Sequence, residues 1–183
     1  MSAVPDRAAL PAPVDDGACD HLPGLAAPAL MLPSSQGAVD LAELAAERAV
    51  LYVYPRTGRP GQPVPAGWDA IPGARGCTAQ SCAFRDHAAE LAAVGARVAG
   101  LSAQPLWEQV EFAEGNGILF PLVADPALRL RHALRLPTFE FDGSTLYKRV
   151  TLVLERGKIE CVFYPVFPAE RNAADVLAWL AAR

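Results

Sequence analysis

Short apolar runs along the chain alternate with stretches of helical period. The run AVLYVYP (49–55) is continuously apolar, as in a strand that is buried on both faces, and ARVAGLSA (96–103) predicts a second buried strand. Shorter runs predict a strand at 120–125 and a hairpin at 146–166. A further short strand, a turn and a short helical segment are predicted within 27–44.

Helices are predicted between these strands. In residues 77–95 the apolar positions recur with a period of 3.6 from Phe84 to Ala92, which defines one apolar face. The helices that such patterns predict lie at 77–95, 105–117, 126–136 and 168–183. Strands that alternate with helices and end in a hairpin predict an α/β fold, with a mixed central sheet flanked by helices.

Two segments carry no periodic pattern. Residues 1–24 are rich in Ala, Pro and Asp, and they are predicted to form a flexible N-terminal extension to a single domain at 25–183. Residues 56–76 contain four prolines and five glycines, so a long loop inserted in that domain is predicted. Loops of this length in a compact domain are usually functional or mobile. Trp68 in this loop fits either a cover over a pocket or simple loop packing.

Composition and charge exclude several classes of function. The 183 residues are 52% hydrophobic and 20% charged, which suits a globular core, and the net charge is −4. No basic patch indicates binding of nucleic acid, and no apolar run is long enough to cross a bilayer. The N-terminus does not resemble a signal peptide, so a cytoplasmic location is expected. The three histidines show no ligand spacing, and neither a metal nor another cofactor is expected.

Two of the four cysteines lie close together in the motif GCTAQSCAFRDH at 76–87. Cys77 and Cys82 form neither a CxxC pair nor a set with the spacing of zinc ligands. Because cytoplasmic thiols are normally reduced, a close pair there is more often catalytic than structural.

Cys77 follows Gly76 at the predicted start of a helix. A cysteine acts as a nucleophile in its thiolate form, and the unpaired N–H groups and dipole of a first helical turn favour an anion. The same N–H groups can stabilise charge that develops on a leaving oxygen. These features predict a reactive thiol at Cys77; the alternative is a buried, inert cysteine.

Several motifs together resemble one family. The segments YVYPRTG, GCTAQSCAFRDH, FPLVAD and KRVTLVL are similar to motifs of the peroxiredoxins, in particular the bacterioferritin-comigratory-protein, or Q-type, branch. The resemblance runs from about Leu25 to the C-terminus. It implies a thioredoxin-like fold and reduction of hydrogen peroxide and organic hydroperoxides, with thioredoxin or a similar thiol as the reductant. Such a protein is expected to be a monomer or a homodimer.

The resemblance implies roles for particular residues. Cys77 takes the position of the peroxidatic cysteine and Cys82 that of the resolving cysteine. Arg149 takes the position of the active-site arginine; the alternative is a solvated charge at a strand end. The family has a threonine three residues before the peroxidatic cysteine, where this chain has Ala74. Thr57, on the near side of the inserted loop, is predicted to supply the hydroxyl instead.

Helix geometry prevents a disulfide between Cys77 and Cys82 while the predicted helix is intact. Residues five apart are rotated by about 140° and displaced by about 7.5 Å, whereas a disulfide needs Cα atoms within about 7 Å and facing Cβ atoms. The hypothesis is therefore that Cys77 becomes a sulfenic acid, that segment 77–83 unwinds, and that Cys82 closes a disulfide which a thiol donor reduces. A one-cysteine peroxidase with a silent Cys82, and a redox sensor or binding module with little turnover, are the alternatives.

The other two cysteines receive weaker interpretations. Cys161 alternates with apolar neighbours in a predicted strand, which indicates a core residue. Cys19 lies in the predicted extension, as a free thiol or, with less support, as another resolving partner.

Overall fold

A computed structural model describes residues 10–183 as a mixed sheet with helices on both faces. The strands within this range are β1 (Met31–Ser34), β2 (Gly37–Asp40), β3 (Ala49–Val53), β4 (Arg97–Ser102), β5 (Leu122–Ala124), β6 (Thr138–Phe141), β7 (Ser144–Tyr147), β8 (Val150–Glu155) and β9 (Lys158–Phe163). The α-helices are α1 (Leu41–Ala46), α2 (Cys77–Asp86), α3 (Ala88–Ala93), α4 (Leu106–Asn116), α5 (Arg129–Leu134) and α6 (Asn172–Ala181).

Seven of these strands form one sheet in the order β2-β1-β5-β4-β3-β8-β9. Strands β3, β4 and β5 are parallel, and the pairs on either side of them are antiparallel. Strands β6 and β7 form a separate hairpin. The mixed central sheet that the sequence predicts is therefore present.

Strand β3 divides its side chains between two apolar clusters. Leu51 and Val53 belong to the cluster that contains α1 and α5, whereas Val50 and Tyr52 belong to the cluster that contains α2, α3, α4 and α6. Because successive side chains of a strand point to opposite faces, a strand between two helical layers must be apolar at every position. This arrangement is the physical reason for the unbroken apolar run at 49–55.

The ring of Tyr52 attaches α2 to the sheet. It stacks on Phe84 with 4.4 Å between the ring centroids, and its hydroxyl lies 3.2 Å from Ser81 Oγ. The neighbouring position in β4 is Gly100, where a Cβ would come within 2.6 Å of the Tyr52 ring. The missing side chain at Gly100 thus gives the tyrosine the room it needs beneath α2.

The structure differs from the predicted elements in three places, the first of which is the additional strand β2 within 27–44. The helix predicted at 77–95 is divided at His87, whose φ of −95° and ψ of 6° lie outside the helical range. Phe84 before the bend and Leu91 after it are both fully buried. The hairpin β6–β7 was not predicted, although its turn at Asp142-Gly143 separates two alternating segments and is a strong hairpin signal.

Residues 10–24 of the predicted extension pack against the domain, whereas residues 1–9 lie outside the described range. Cys19 and Leu22 are 4% and 0% exposed in the cluster of α1 and α5. Asp16 accepts hydrogen bonds from Lys148 Nζ at 2.8 Å and from the Tyr164 hydroxyl at 2.9 Å. A few side chains attach this segment to the domain. Because they follow no regular spacing, the sequence pattern does not reveal that the segment is packed.

In the part of the chain that the structure describes, no helix combines the length and the apolar character that crossing a membrane requires.

Leu22→Ala is expected to lower the free energy of unfolding by about 2–5 kcal/mol, because the substitution empties a fully buried site. Leu25→Ala is the matched control, since Leu25 is 37% exposed, and a change of at most about 0.5 kcal/mol is expected. Urea unfolding of both variants measures the difference. Equal, small effects at the two leucines would show that residues 10–24 contribute nothing to the core.

Burial raises the pKa of the Cys19 thiol to about 12, and the neighbouring Asp16 carboxylate adds to the shift. Folding therefore favours the protonated thiol, and this contribution is complete below the ordinary pKa of 9.0 and is lost as the pH rises towards 12. Cys19→Ala is expected to show a shallower decline of unfolding free energy over that alkaline range than the wild type. Denaturant titrations at several pH values measure the slopes, and identical slopes would contradict the expectation.

Candidate active site

Cys77 is the first residue of α2 and lies almost completely buried, with 3% of its surface exposed. Gly76 caps the helix with a φ of 107°, a left-handed conformation that favours glycine. A Cβ at Gly76 would also lie only 2.9 Å from the Cβ of Ala169. Glycine therefore permits the sharp turn from the inserted loop into α2 and the close approach of residue 169.

Arg149 immediately precedes β8 and brings its guanidinium to Cys77. Its Nη2 lies 3.2 Å from Cys77 Sγ, and Nη1 donates a hydrogen bond to Gln80 Oε1. Nη2 also lies 3.2–3.3 Å from the carbonyl oxygens of residues 73, 74 and 75. The end of the inserted loop thus surrounds the guanidinium before the chain enters α2.

The charge of Arg149 is buried without a carboxylate partner among the recorded ion pairs of residues 10–183. Arg149 is 4% exposed, and its Nε has no hydrogen-bond acceptor within that range. A buried charge is costly unless it is paired or well hydrogen-bonded. Carbonyl and amide oxygens accept hydrogen bonds from the guanidinium, and a negative charge on Cys77 Sγ would balance its positive charge.

Thr57 lies at the opposite end of the inserted loop and is 3% exposed. Its backbone N and its Oγ1 donate to Gln104 Oε1 at 2.8 and 3.2 Å. Gln104 Nε2 in turn donates to Glu108 Oε2 at 2.6 Å. This network holds the hydroxyl of Thr57 in the wall of the same pocket that contains Cys77.

The pocket above Cys77 has a volume of about 330 Å³. Its walls come from the inserted loop, from the first turn of α2 and from residues 167–170. Val64, Trp68 and Phe167 make part of the wall apolar, while Arg56 and Arg59 add positive charge. This volume lies in the usual range for small-molecule sites, about 300–1,000 Å³.

Trp68 both packs and lines this pocket. It is 5% exposed, lies in a short 3₁₀ turn, and contacts the hairpin β6–β7, with its ring 4.9 Å from that of Phe141. Ala74, three residues before Cys77, belongs to the same small apolar cluster. The hairpin that was not predicted therefore supports the loop that forms the pocket.

Cys82 lies on the same intact helix as Cys77 and is half-buried. Its Sγ is 3.9 Å from Asn116 Oδ1 at the end of α4. All four cysteines are free thiols. Cys161 is half-buried in β9, and burial raises the pKa of its thiol. The structure thus brings Cys77, Arg149 and Thr57 together and leaves Cys82 apart from them.

Three polar residues around this site were not predicted from the sequence, namely Gln80, Gln104 and Asn172. All three are at most 6% exposed. For Gln80 a signal was available, since it lies three residues after Cys77 on the same face of the helix. For Gln104 and Asn172 the sequence gives no comparable signal, because their partners are distant along the chain.

Among the described residues, no group of three or more His, Cys, Asp or Glu side chains could hold a metal ion.

Comparisons with known proteins identify the family to which the chain belongs. The Redoxin family model matches residues 22–177. Peroxiredoxin Q of Oryza sativa subsp. japonica, a chloroplastic protein, is 30% identical over 178 residues, which cover 94% of this chain and 74% of that relative. A Mycobacterium tuberculosis protein assigned as a peroxiredoxin is 33% identical over 105 residues, and the match spans only 57% of the length of either protein.

Solved structures share the fold. The crystal structure of the peroxidoxin BcpB from Mycobacterium tuberculosis has a TM-score of 0.72 and 28% identity, and covers 88% of this chain and 98% of that one. A structure of Xanthomonas campestris peroxiredoxin Q has a TM-score of 0.67 over 95% of this chain, at 23% identity. The chain therefore belongs to the redoxin family and, within it, to the peroxiredoxins of the Q, or bacterioferritin-comigratory-protein, branch. The predicted thioredoxin-like fold and the predicted family are confirmed.

Arg149→Met is expected to slow the reaction of Cys77 with hydrogen peroxide by about 10²–10³-fold, the usual effect of removing a donor that stabilises developing charge. Stopped-flow measurement of Cys77 oxidation under pseudo-first-order conditions tests this. Arg48→Met is the matched control, because Arg48 is a partly buried arginine that pairs with Glu155 instead of contacting Cys77. This variant is expected to react at the wild-type rate. If both variants react at the wild-type rate, Arg149 has no role in the chemistry.

Proposed function

We propose that the protein is a thiol peroxidase that reduces hydrogen peroxide and organic hydroperoxides through Cys77. One observation carries the proposal. Cys77 Sγ lies at the start of α2, 3.2 Å from a buried guanidinium, in the wall of a pocket open to a small molecule. Membership of the peroxiredoxin family supports the same reaction class.

In the first step the Cys77 thiolate attacks one peroxide oxygen. The S–O bond forms as the O–O bond breaks, so that sulfur is oxidised to a sulfenic acid and the other oxygen leaves as water or an alcohol after gaining a proton. Arg149 and the free N–H groups of the first helical turn stabilise the negative charge on the leaving oxygen. Thr57, which lines the same pocket as Cys77, contributes a hydroxyl to this step.

In the second step the thiol of Cys82 attacks the sulfenic sulfur. A disulfide forms between Cys77 and Cys82, and the sulfenic oxygen leaves as water. Both cysteines lie in α2, so residues 77–83 must unwind before the sulfur atoms can meet. A thioredoxin-like dithiol then reduces the disulfide by exchange and restores both thiols.

The pocket and the thiols support the remaining parts of the proposal. A volume of about 330 Å³ with apolar walls admits organic hydroperoxides as well as hydrogen peroxide. The cycle needs a reducing compartment such as the cytoplasm, where the cysteines remain free between turnovers. The protein acts in this scheme as a monomer or a homodimer, since Cys77 and Cys82 come from one chain.

Steady-state peroxide consumption with thioredoxin, thioredoxin reductase and NADPH tests the proposal. The wild type is expected to consume many equivalents, Cys77→Ser none, and Cys82→Ser about one per chain. Cys161→Ser is the matched control and is expected to keep the wild-type rate, because Cys161 lies in β9 outside the pocket. Mass spectrometry of the wild type after one equivalent of peroxide should find the Cys77–Cys82 disulfide.

Other outcomes distinguish the alternatives. If the wild type stops after one equivalent, the protein acts as a redox sensor rather than an enzyme. If Cys82→Ser turns over as fast as the wild type, the protein is a one-cysteine peroxidase. If Cys77→Ser retains full activity, the proposal fails.

A further inference from the structure

A chain of buried polar side chains connects the C-terminal helix to Cys77. Thr151 Oγ1 donates to Asn172 Oδ1 at 2.7 Å, and Gln80 Nε2 donates to the same oxygen at 2.9 Å. Gln80 Oε1 accepts from Arg149, whose guanidinium contacts Cys77 Sγ. The first three of these side chains are at most 2% exposed.

The orientation of the Gln80 amide follows from these contacts. Asn172 Oδ1 is an acceptor, so it selects the NH₂ end of the Gln80 amide. The carbonyl end of Gln80 then faces the guanidinium of Arg149, which can only donate. Asn172 thus controls which end of the Gln80 amide meets the cation beside Cys77.

The four polar residues come from segments that behave differently in the proposed cycle. Arg149 and Thr151 belong to the chain at the start of β8, and Asn172 begins α6. Gln80 alone lies within residues 77–83, the segment that must unwind before Cys82 can reach Cys77. Unwinding withdraws Gln80, so that Arg149 Nη1 loses its buried acceptor and Asn172 Oδ1 keeps only the hydrogen bond from Thr151. Since unpaired buried polar groups are unfavourable, these hydrogen bonds oppose unwinding.

We propose that Asn172, supported by Thr151, is a positioning residue that acts through Gln80 to hold Arg149 against Cys77 and to delay the unwinding of α2. This inference rests on the proposed peroxidase function and adds a residue that regulates the rates of its first two steps. The Thr151–Asn172–Gln80 contact increases the rate of peroxide attack and decreases the rate of disulfide formation. The lifetime of the Cys77 sulfenic acid, and with it the chance that a second peroxide oxidises the sulfur to a sulfinic acid, depends on Asn172.

The proposal predicts opposite changes in two rates. In Asn172→Leu, the Gln80 amide loses the contact that holds it against Arg149, so the rate of Cys77 oxidation is expected to fall about tenfold. The helix start unwinds more easily, so the rate of disulfide formation is expected to rise at least about threefold. Sulfinic acid at excess peroxide should decrease accordingly. Asn172→Asp retains the acceptor oxygen but adds a buried carboxylate near Arg149, so disulfide formation is expected to stay closer to the wild-type rate than in Asn172→Leu, whereas Cys77 oxidation slows.

Single-turnover kinetics with hydrogen peroxide measure the two steps, and mass spectrometry measures the disulfide and the sulfinic acid. Thr151→Val is a second, milder variant that removes only one hydroxyl and should shift both rates in the same directions as Asn172→Leu. Tyr147→Phe is the matched control, because its buried hydroxyl donates to Asp125 away from α2. The control loses a buried hydrogen bond and should change neither rate.

The outcomes separate this inference from the proposed function. If the wild type forms the Cys77–Cys82 disulfide but both rates in Asn172→Leu and Thr151→Val match those of Tyr147→Phe, the inference alone is overturned. It is also overturned if both rates fall together, as a general loss of structure would cause. A wild type that oxidises Cys77 and never forms the disulfide overturns the intramolecular step and this inference with it.

Discussion

The candidate site depends on one buried positive charge. Arg149 is enclosed by carbonyl oxygens at the end of the inserted loop, by the amide of Gln80 and by the sulfur of Cys77. No recorded ion pair of residues 10–183 supplies a carboxylate for it. A carboxylate would neutralise the guanidinium and weaken its attraction for other anions. Among the described residues, Cys77 Sγ therefore contacts a guanidinium that no recorded carboxylate pairs with.

Helix α2 has two requirements that conflict. Its first turn must be formed for the N–H groups to face the pocket, yet the proposed disulfide requires that turn to unwind. The structure anchors the helix beyond the segment that must unwind. Phe84 is fully buried and stacked on Tyr52, so the helix is anchored just beyond residues 77–83. The loss of structure can therefore be confined to the first turns, and the core need not open.

The sequence predicted those features whose causes are local. The apolar runs at 49–55 and 96–103 correspond to β3 and β4, and the chain does begin a helix at Cys77 after Gly76. A helix start and the glycine before it are visible in a few residues, and so is a charge at the edge of an apolar strand such as Arg149. These local signals, together with the family motifs, were sufficient to indicate the fold and three of the residues around the pocket.

What the sequence could not predict arises from contacts between distant segments. Gln80 and Asn172 are 92 positions apart, and neither has an unusual local pattern. Cys19 and Leu22 are buried although their surroundings resemble a linker, because isolated anchors need no period. The bend at His87 interrupts a segment whose apolar period continues on both sides of it, so helix periodicity alone cannot reveal it. Local patterns therefore pointed to Cys77 as the candidate thiol and missed most of the residues that hold its surroundings in place.

The inserted loop has a consequence for how such a protein can change over evolution. Residues 58–67 are all exposed, whereas Thr57 on one side and Trp68 on the other are buried and attached to the domain. Insertions and deletions between those two anchors leave the backbone at Thr57 and Gly76 where it is. The size and chemistry of the pocket rim can thus change between lineages without moving the thiol or its guanidinium partner.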